Sequence, residues 1–113
     1  MKTIVTARES FRTGSEIADA VTGYGLALAR IRDLDVVEIP YIAENGAVHR
    51  AQLRIGWLID TVVTFDDRAA DELIEADTIF DILAKTRAIE RPPARSAATG
   101  VGMPERTNWD EVI

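Results

Sequence analysis

The chain has no cysteine and only one histidine among its 113 residues. The absence of cysteine excludes disulfides, zinc–thiolate sites and thiol nucleophiles. His49 alone cannot anchor a metal site, and Ser10, Ser15 and Ser96 have no histidine near them in the sequence. We therefore predict no catalytic residue, no metal ligand and no cofactor, and we do not expect an enzyme.

Long apolar runs and basic clusters are also missing. No apolar run is long enough to span a bilayer, and Met1-Lys2-Thr3-Ile4 lacks the apolar core of a signal peptide. The formal net charge is −6, so the phosphate backbone of a nucleic acid would repel the chain. These features predict a cytoplasmic location, with neither membrane nor nucleic acid as a partner.

Residues 36–65 hold the densest run of β-branched and aromatic residues, around the turn signal Glu44-Asn45-Gly46. A three-residue loop with Gly46 in the left-handed region is the loop length that sorts apolar from charged side chains. The sequence therefore predicts a long hairpin with this register. It pairs Tyr41, Ile39 and Val37 with His49, Ala51 and Leu53.

Beyond Ile55 the apolar alternation continues through Trp57, Ile59, Thr61 and Val63 to Phe65, broken only by Gly56. Gly56 marks a bulge or a sharp bend, so the second arm is expected to be either one long coiled strand or two. Two further apolar side chains, Leu58 and Val62, fall on the opposite side of this arm. Because one layer of helices covers one face of a sheet, we expect Leu58 and Val62 to contact a second copy or the first helix.

A strand is predicted over residues 2–7, followed by a helix that Thr13 caps, with Glu16 completing a capping box. A second stripe of this helix, Ala18, Thr22, Gly25 and Ala29, is small at every step. It is explained either by close packing on the sheet or by a helix–helix dimer contact. The predicted buried face consists of Ile17, Ala20, Val21, Tyr24, Leu28 and Ile31.

Asp66 and Asp67 predict a helix from about residue 68, which Asp77 restarts after a slight break and which ends before Pro92-Pro93. Its predicted buried side consists of Leu73, Ala76, Phe80 and Leu83. Acidic side chains would form a stripe along it, either as a solvated face or as a docking surface for a basic partner. The stripe consists of Asp67, Asp71, Glu75, Asp77 and Asp81.

Residues 92–113 are rich in Ala, Pro, Gly and Ser and are predicted to be a disordered tail. The tail has almost no apolar side chains to bury except near its end. Trp109, Val112 and Ile113 are therefore expected to bind a partner, and we expect the tail to dock on a neighbouring subunit.

The order strand, helix, long hairpin, helices predicts an α+β domain over residues 1–91, a two-layer sandwich with a mostly antiparallel sheet. Its expected function is protein–protein association without catalysis, as a self-assembling or adaptor subunit. One alternative is a small-ligand-binding or enzymatic domain that uses the face around Glu38, Arg50 and Arg54. The other is an acidic inhibitor of a basic protein. The start of the chain and its acidic later half resemble small bacterial antitoxins, although the hairpin is too long for that pattern.

Overall fold

The computed structural model describes residues 1–66 and 71–91. The elements in chain order are β1 (Lys2–Val5), β2 (Ser10–Thr13), α1 (Ser15–Arg30), β3 (Leu34–Ile42), β4 (Val48–Gly56), β5 (Val62–Phe65) and α2 (Ala76–Glu90). The strands pair antiparallel in the order β4-β3-β2-β1-β5, and with the two helices they make the predicted α+β fold. The predicted tail, with Trp109, Val112 and Ile113, lies outside the described residues.

The β3–β4 hairpin has the predicted register, with Val37 opposite Leu53 and Tyr41 opposite His49. Gly46 closes the three-residue loop at φ 86°, a conformation that side-chain-bearing residues rarely adopt. One face of the hairpin enters the core, where Ile39 is 0% exposed. The polarity of the two faces therefore determined the pairing, as a one-residue slip would have reversed it.

The second strand in chain order, β2, was not predicted. Thr13 belongs to this strand and its hydroxyl donates a 2.7 Å hydrogen bond to the carbonyl of Pro40, so the expected capping box is wrong. The N-cap of α1 is Gly14, and the Ser15 amide and hydroxyl donate instead to the carboxylate of Glu72, at 2.9 and 2.8 Å. The cap thus comes from a residue far along the chain.

The arm that starts at Val48 is two strands, the second of the two expected alternatives, and they lie at opposite edges of the sheet. β4 ends at Gly56, and β5 pairs with β1. β5 aligns Val63 with Ile4, which is 1% exposed in the core. The pairing between β2 and β3 in the middle of the sheet is short, because these strands share the single pair Arg12↔Ile42 within the described residues.

The second helix begins later than predicted and buries a different side. Residues 71–75 are not helical, and α2 starts at Ala76. Thr78 and Ile82 are its buried residues, whereas Phe80 is 66% exposed and Leu83 39% exposed. The predicted buried side is therefore wrong for these two residues and for Ala76, which is exposed; Leu73 is partly buried against the core.

The expected acidic stripe does not form on one helix. Asp71 and Glu75 precede α2, and Asp67 lies outside the described residues. Only Asp77 and Asp81 of the predicted set lie on the helix. Glu75 is bonded to Arg50 and Thr78, so its charge is already neutralised within the chain. The alternative function of an acidic inhibitor stays a prediction, although it cannot rest on a stripe along one helix.

Candidate association surface

The connection between β4 and β5 is a tight turn held to the end of α1. Gly56 has φ 122°, and a Cβ there would lie 2.5 Å from the Asp33 carbonyl oxygen, so a larger residue does not fit. The Trp57 amide donates to that same carbonyl at 2.8 Å, and the Ile59 amide donates to the Gly56 carbonyl at 3.1 Å. The Trp57 ring also lies 5.6 Å from the Arg32 guanidinium, in a cation–π contact.

Leu58 occupies the strained position of this turn. Its φ is 64°, in the left-handed region that costs a side-chain-bearing residue roughly 1–2 kcal/mol. The position corresponds to the third residue of a turn type that favours glycine or asparagine. Leu58 is nevertheless a large apolar residue that is 84% exposed. Neither the backbone nor the hydrophobic effect within the described residues favours leucine at this place.

The predicted division of the apolar side chains into two sets holds only in part, because Trp57 and Phe65 of the alternating set are 38% and 86% exposed. Ile59 and Val63 are half-buried and line a cleft of about 450 Å³ against α1. Leu58 and Val62 are 84% and 58% exposed. The expectation that they would meet the first helix is therefore wrong, whereas contact with a second copy stays a prediction.

Helix α1 adds one more exposed side chain to this region. Leu26 is 56% exposed and lines the same cleft as Ile59. It lies off the predicted buried face of α1, which was the sequence signal for its exposure. Ile31 was expected to be buried and is 54% exposed, because it is the C-cap and lies past the last helical turn. We call Trp57, Leu58 and Val62 the connection surface, whereas Leu26 lines the cleft on the side of Ile59 and Val63.

The stripe of small residues on α1 packs closely at two of its four positions. Ala18 is 0% exposed, and a Cβ on Gly25 would lie 3.8 Å from the Ile55 Cβ, an ordinary van der Waals contact. Thr22 is exposed and its hydroxyl donates to the Ala18 carbonyl at 2.9 Å. Close packing on the sheet therefore accounts for Ala18 and Gly25.

The polar face of the hairpin is an ion-pair network. Arg50 binds the carboxylate of Glu38 and, at 2.9 Å, that of Glu75. These two hydrogen-bonded carboxylates raise the pKa of Arg50 above its ordinary value, Glu38 contributing most. Arg54, the other arginine of the predicted ligand face, is exposed and lines a separate cleft beside Leu58. Arg50 and Arg54 are thus not poised together around one small acid.

A partly buried cluster joins both helices to β3. The Tyr24 hydroxyl donates to Asp35 at 2.5 Å, and Lys85 of α2 lies 3.6 Å from the same carboxylate. Burial, and then the bond to Asp35, raises the pKa of Tyr24 to about 12. The hydrogen bond from Tyr24 is also the largest cause that lowers the pKa of Asp35. This cluster has a structural role, since it fixes α2 against α1 and the start of β3.

The chain matches no protein-family model, no curated protein and no solved structure. Within residues 1–66 and 71–91, neither helix is long and apolar enough to cross a membrane. The same residues hold no group of three or more histidine or acidic side chains arranged for a metal ion.

Proposed function

We propose that the protein acts through protein–protein association, as a self-assembling structural or adaptor subunit without catalysis. The observation that carries this proposal is Leu58, a leucine held at φ 64° and 84% exposed. Its partner contacts a surface that also includes Trp57 and Val62.

Burial of Leu58 in a partner would offset the backbone strain and the exposure to water of this side chain in the isolated fold. Transferring a leucine side chain from water to an apolar contact stabilises by roughly 1.5–3 kcal/mol, which is enough to offset the roughly 1–2 kcal/mol of backbone strain at Leu58. Val62 lies on β5, the edge strand of the sheet, so a neighbour can contact its side chain and the strand edge together. The site is therefore both apolar and accessible.

The C-terminal segment is proposed to contribute an arm to this assembly. Trp109, Val112 and Ile113 are the apolar side chains near its end, and tryptophan is among the residues that dominate interface energetics. Residues 91–108 separate this anchor from the end of α2, which gives it the reach to a neighbouring subunit. The exposed connection surface supplies an apolar place for it to bind.

The test is the molar mass in solution of the whole chain and of matched variants, measured by sedimentation over a range of concentrations. Leu58→Asn removes the apolar side chain but tolerates a positive φ, so it should reduce association without destabilising the fold. Val62→Thr should act in the same direction. Val48→Thr, at the far tip of the hairpin and 56% exposed, is the control and should leave the mass unchanged.

Deleting residues 105–113 tests the arm separately. A drop in mass at unchanged folding stability would support docking on a neighbour. A loss of stability at unchanged mass would mean that the segment binds its own subunit, and the arm would be refuted. If mass and stability both stay unchanged, the anchor serves neither purpose and the arm is again refuted.

A further inference from the structure

Helix α2 presents a second apolar surface, separate from the connection surface. Its buried residues, Thr78 and Ile82, lie on the side toward the core. On the opposite side, at helical spacing, are Ala76, Phe80, Ala84 and Ala88, all exposed, with Phe80 at 66%. An exposed phenylalanine beside three alanines leaves room for a close partner. We call these four residues the α2 face.

The charges beside this face are segregated along the helix. Asp77 and Asp81 lie in its first half, whereas Arg87 lies in its last turn and Arg91 directly follows it. None of these four forms an ion pair with another described residue, whereas Lys85 and Glu90 are paired with Asp35 and Arg30. The helix dipole favours acidic residues near the start of a helix and basic residues near its end. The dipole does not explain why Phe80 is exposed next to it.

Both the charges and the side-chain sizes are reversed about Ala84. Four residues before it is Phe80 and four after it is Ala88; three before it is Asp81 and three after it is Arg87. Likewise Asp77 and Arg91 lie seven residues to either side. A surface with this reversal is complementary to itself when a copy is turned end for end, which is what a two-fold dimer interface requires.

We propose that α2 is the interface of a two-fold homodimer, in which two copies of the helix lie antiparallel with Ala84 near the axis. Phe80 of each copy packs over Ala88 of the other, and Asp81 of each faces Arg87 of the other. The proposal rests on the self-association proposed above and names a different surface for it. A fifteen-residue helix is about 22 Å long, so the contact is small and the dimer should depend on concentration.

The charge reversal provides a sharp test. Asp81→Arg and Arg87→Asp should each weaken self-association, by about tenfold or more in Kd. In either variant, residues 81 and 87 have the same charge, so both of the pairs they form across the dimer interface become repulsive. An equimolar mixture of the two variants should form a heterodimer, because every pair then has opposite signs. Within one helix these positions are six residues apart and do not face each other, so the rescue reports on the interface alone.

A cross-link locates the axis. The chain has no cysteine, so Ala84→Cys introduces a single thiol that a short bifunctional maleimide should link between two copies. Ala76→Cys is the control on the same face. Two copies of residue 76 would be about 24 Å apart along the helices, and they should not cross-link.

The results separate this inference from the proposed function. If neither charge variant changes the mass and Ala84→Cys does not cross-link, the α2 dimer is overturned, and a drop in mass for Leu58→Asn still supports the connection surface. If the charge variants dissociate the protein, their mixture restores the dimer and Leu58→Asn has no effect, the α2 dimer stands and the connection surface is refuted. A wild-type chain that is monomeric at every concentration refutes both.

Discussion

The two helices have nearly the same length and very different surroundings. α1 buries seven residues against the sheet and α2, while α2 buries only Thr78 and Ile82. The N-terminus of α1 is bonded to Glu72, and its C-terminus closes in a Schellman motif, with Arg32 at φ 55° and the Asp33 amide donating to the Leu28 carbonyl. Side-chain capping is absent at the N-cap of α2, Glu75.

The difference shows which helix the fold depends on and which one has surface left for a partner. Contacts within the chain bury one whole face of α1 and satisfy both of its ends. α2 is attached along one narrow side and exposes Phe80 on the other. Helices in proteins derive most of their stability from packing, so a helix with an uncovered apolar side is expected to gain from a partner.

The largest expected effect is the contrast between two truncations. Ile17→Ala in α1, at a side chain that is 0% exposed, should reduce the free energy of unfolding by about 2–5 kcal/mol. Phe80→Ala in α2 should change that of the monomer by only about 0.5 kcal/mol or less, because the side chain is mostly in water. Urea denaturation at low protein concentration measures both. A similar loss for the two variants would contradict the comparison.

The next prediction concerns the N-terminus of α1. The Ser15 amide, and then the Met1 amino group at 3.0 Å, lower the pKa of Glu72 from 4.5 to about 2. Because the folded state holds the carboxylate ionised, its stabilising contribution is complete above about pH 4.5 and is lost as the pH falls toward 2. Glu72→Gln should therefore lower stability at neutral pH and flatten its decline over that interval.

Thermal unfolding between pH 2 and 7 would follow this change. Glu44→Gln, at the hairpin tip, is the matched control: it removes the same charge without removing a bond seen in the described residues. If the two variants have the same pH dependence, Glu72 does not hold α1 in place.

The smallest effect is a gain in α1. Gly23 is inside the helix, and a Cβ there would have no atom within 4 Å. Gly23→Ala should stabilise the protein by about 0.5–1 kcal/mol through helix propensity. Gly46→Ala should instead destabilise it by about 1 kcal/mol, because its φ is 86°. Urea denaturation should show changes of opposite sign in the free energy of unfolding for the two variants. Changes of the same sign would contradict this prediction.

The hairpin was predictable because its information is local. Gly46 and the alternation of polarity on both arms allowed one register, and the structure has it. β2 was not predictable in the same way, since its four residues include one large apolar side chain, Phe11, and its Thr13 also fits a helix cap. The cap provided by Glu72 is a contact between residues 57 positions apart, which no local pattern contains.

The face of α2 was predicted wrongly for a physical reason. Phe80 and Leu83 define the more apolar stripe, and periodicity assigns such a stripe to the core. The fold instead buries the stripe that contains Thr78, whose hydroxyl is satisfied by Glu75. Apolar periodicity identifies the sides of a helix that avoid water, and it does not distinguish the core from a partner. Periodicity likewise did not decide what Leu58 and Val62 contact. Their exposure follows from the tight turn between β4 and β5, which the sequence pattern did not specify.

The distance along the chain between paired strands has a consequence for the order in which they fold. The β3–β4 hairpin closes over a few residues, whereas β5 must return across about 60 residues to pair with β1, at a much larger loss of chain entropy. We therefore expect the hairpin amides to exchange hydrogen most slowly and those of β5 most quickly. Val62 lies in the strand expected to form last, so a bound partner would complete the sheet's folding and slow exchange there.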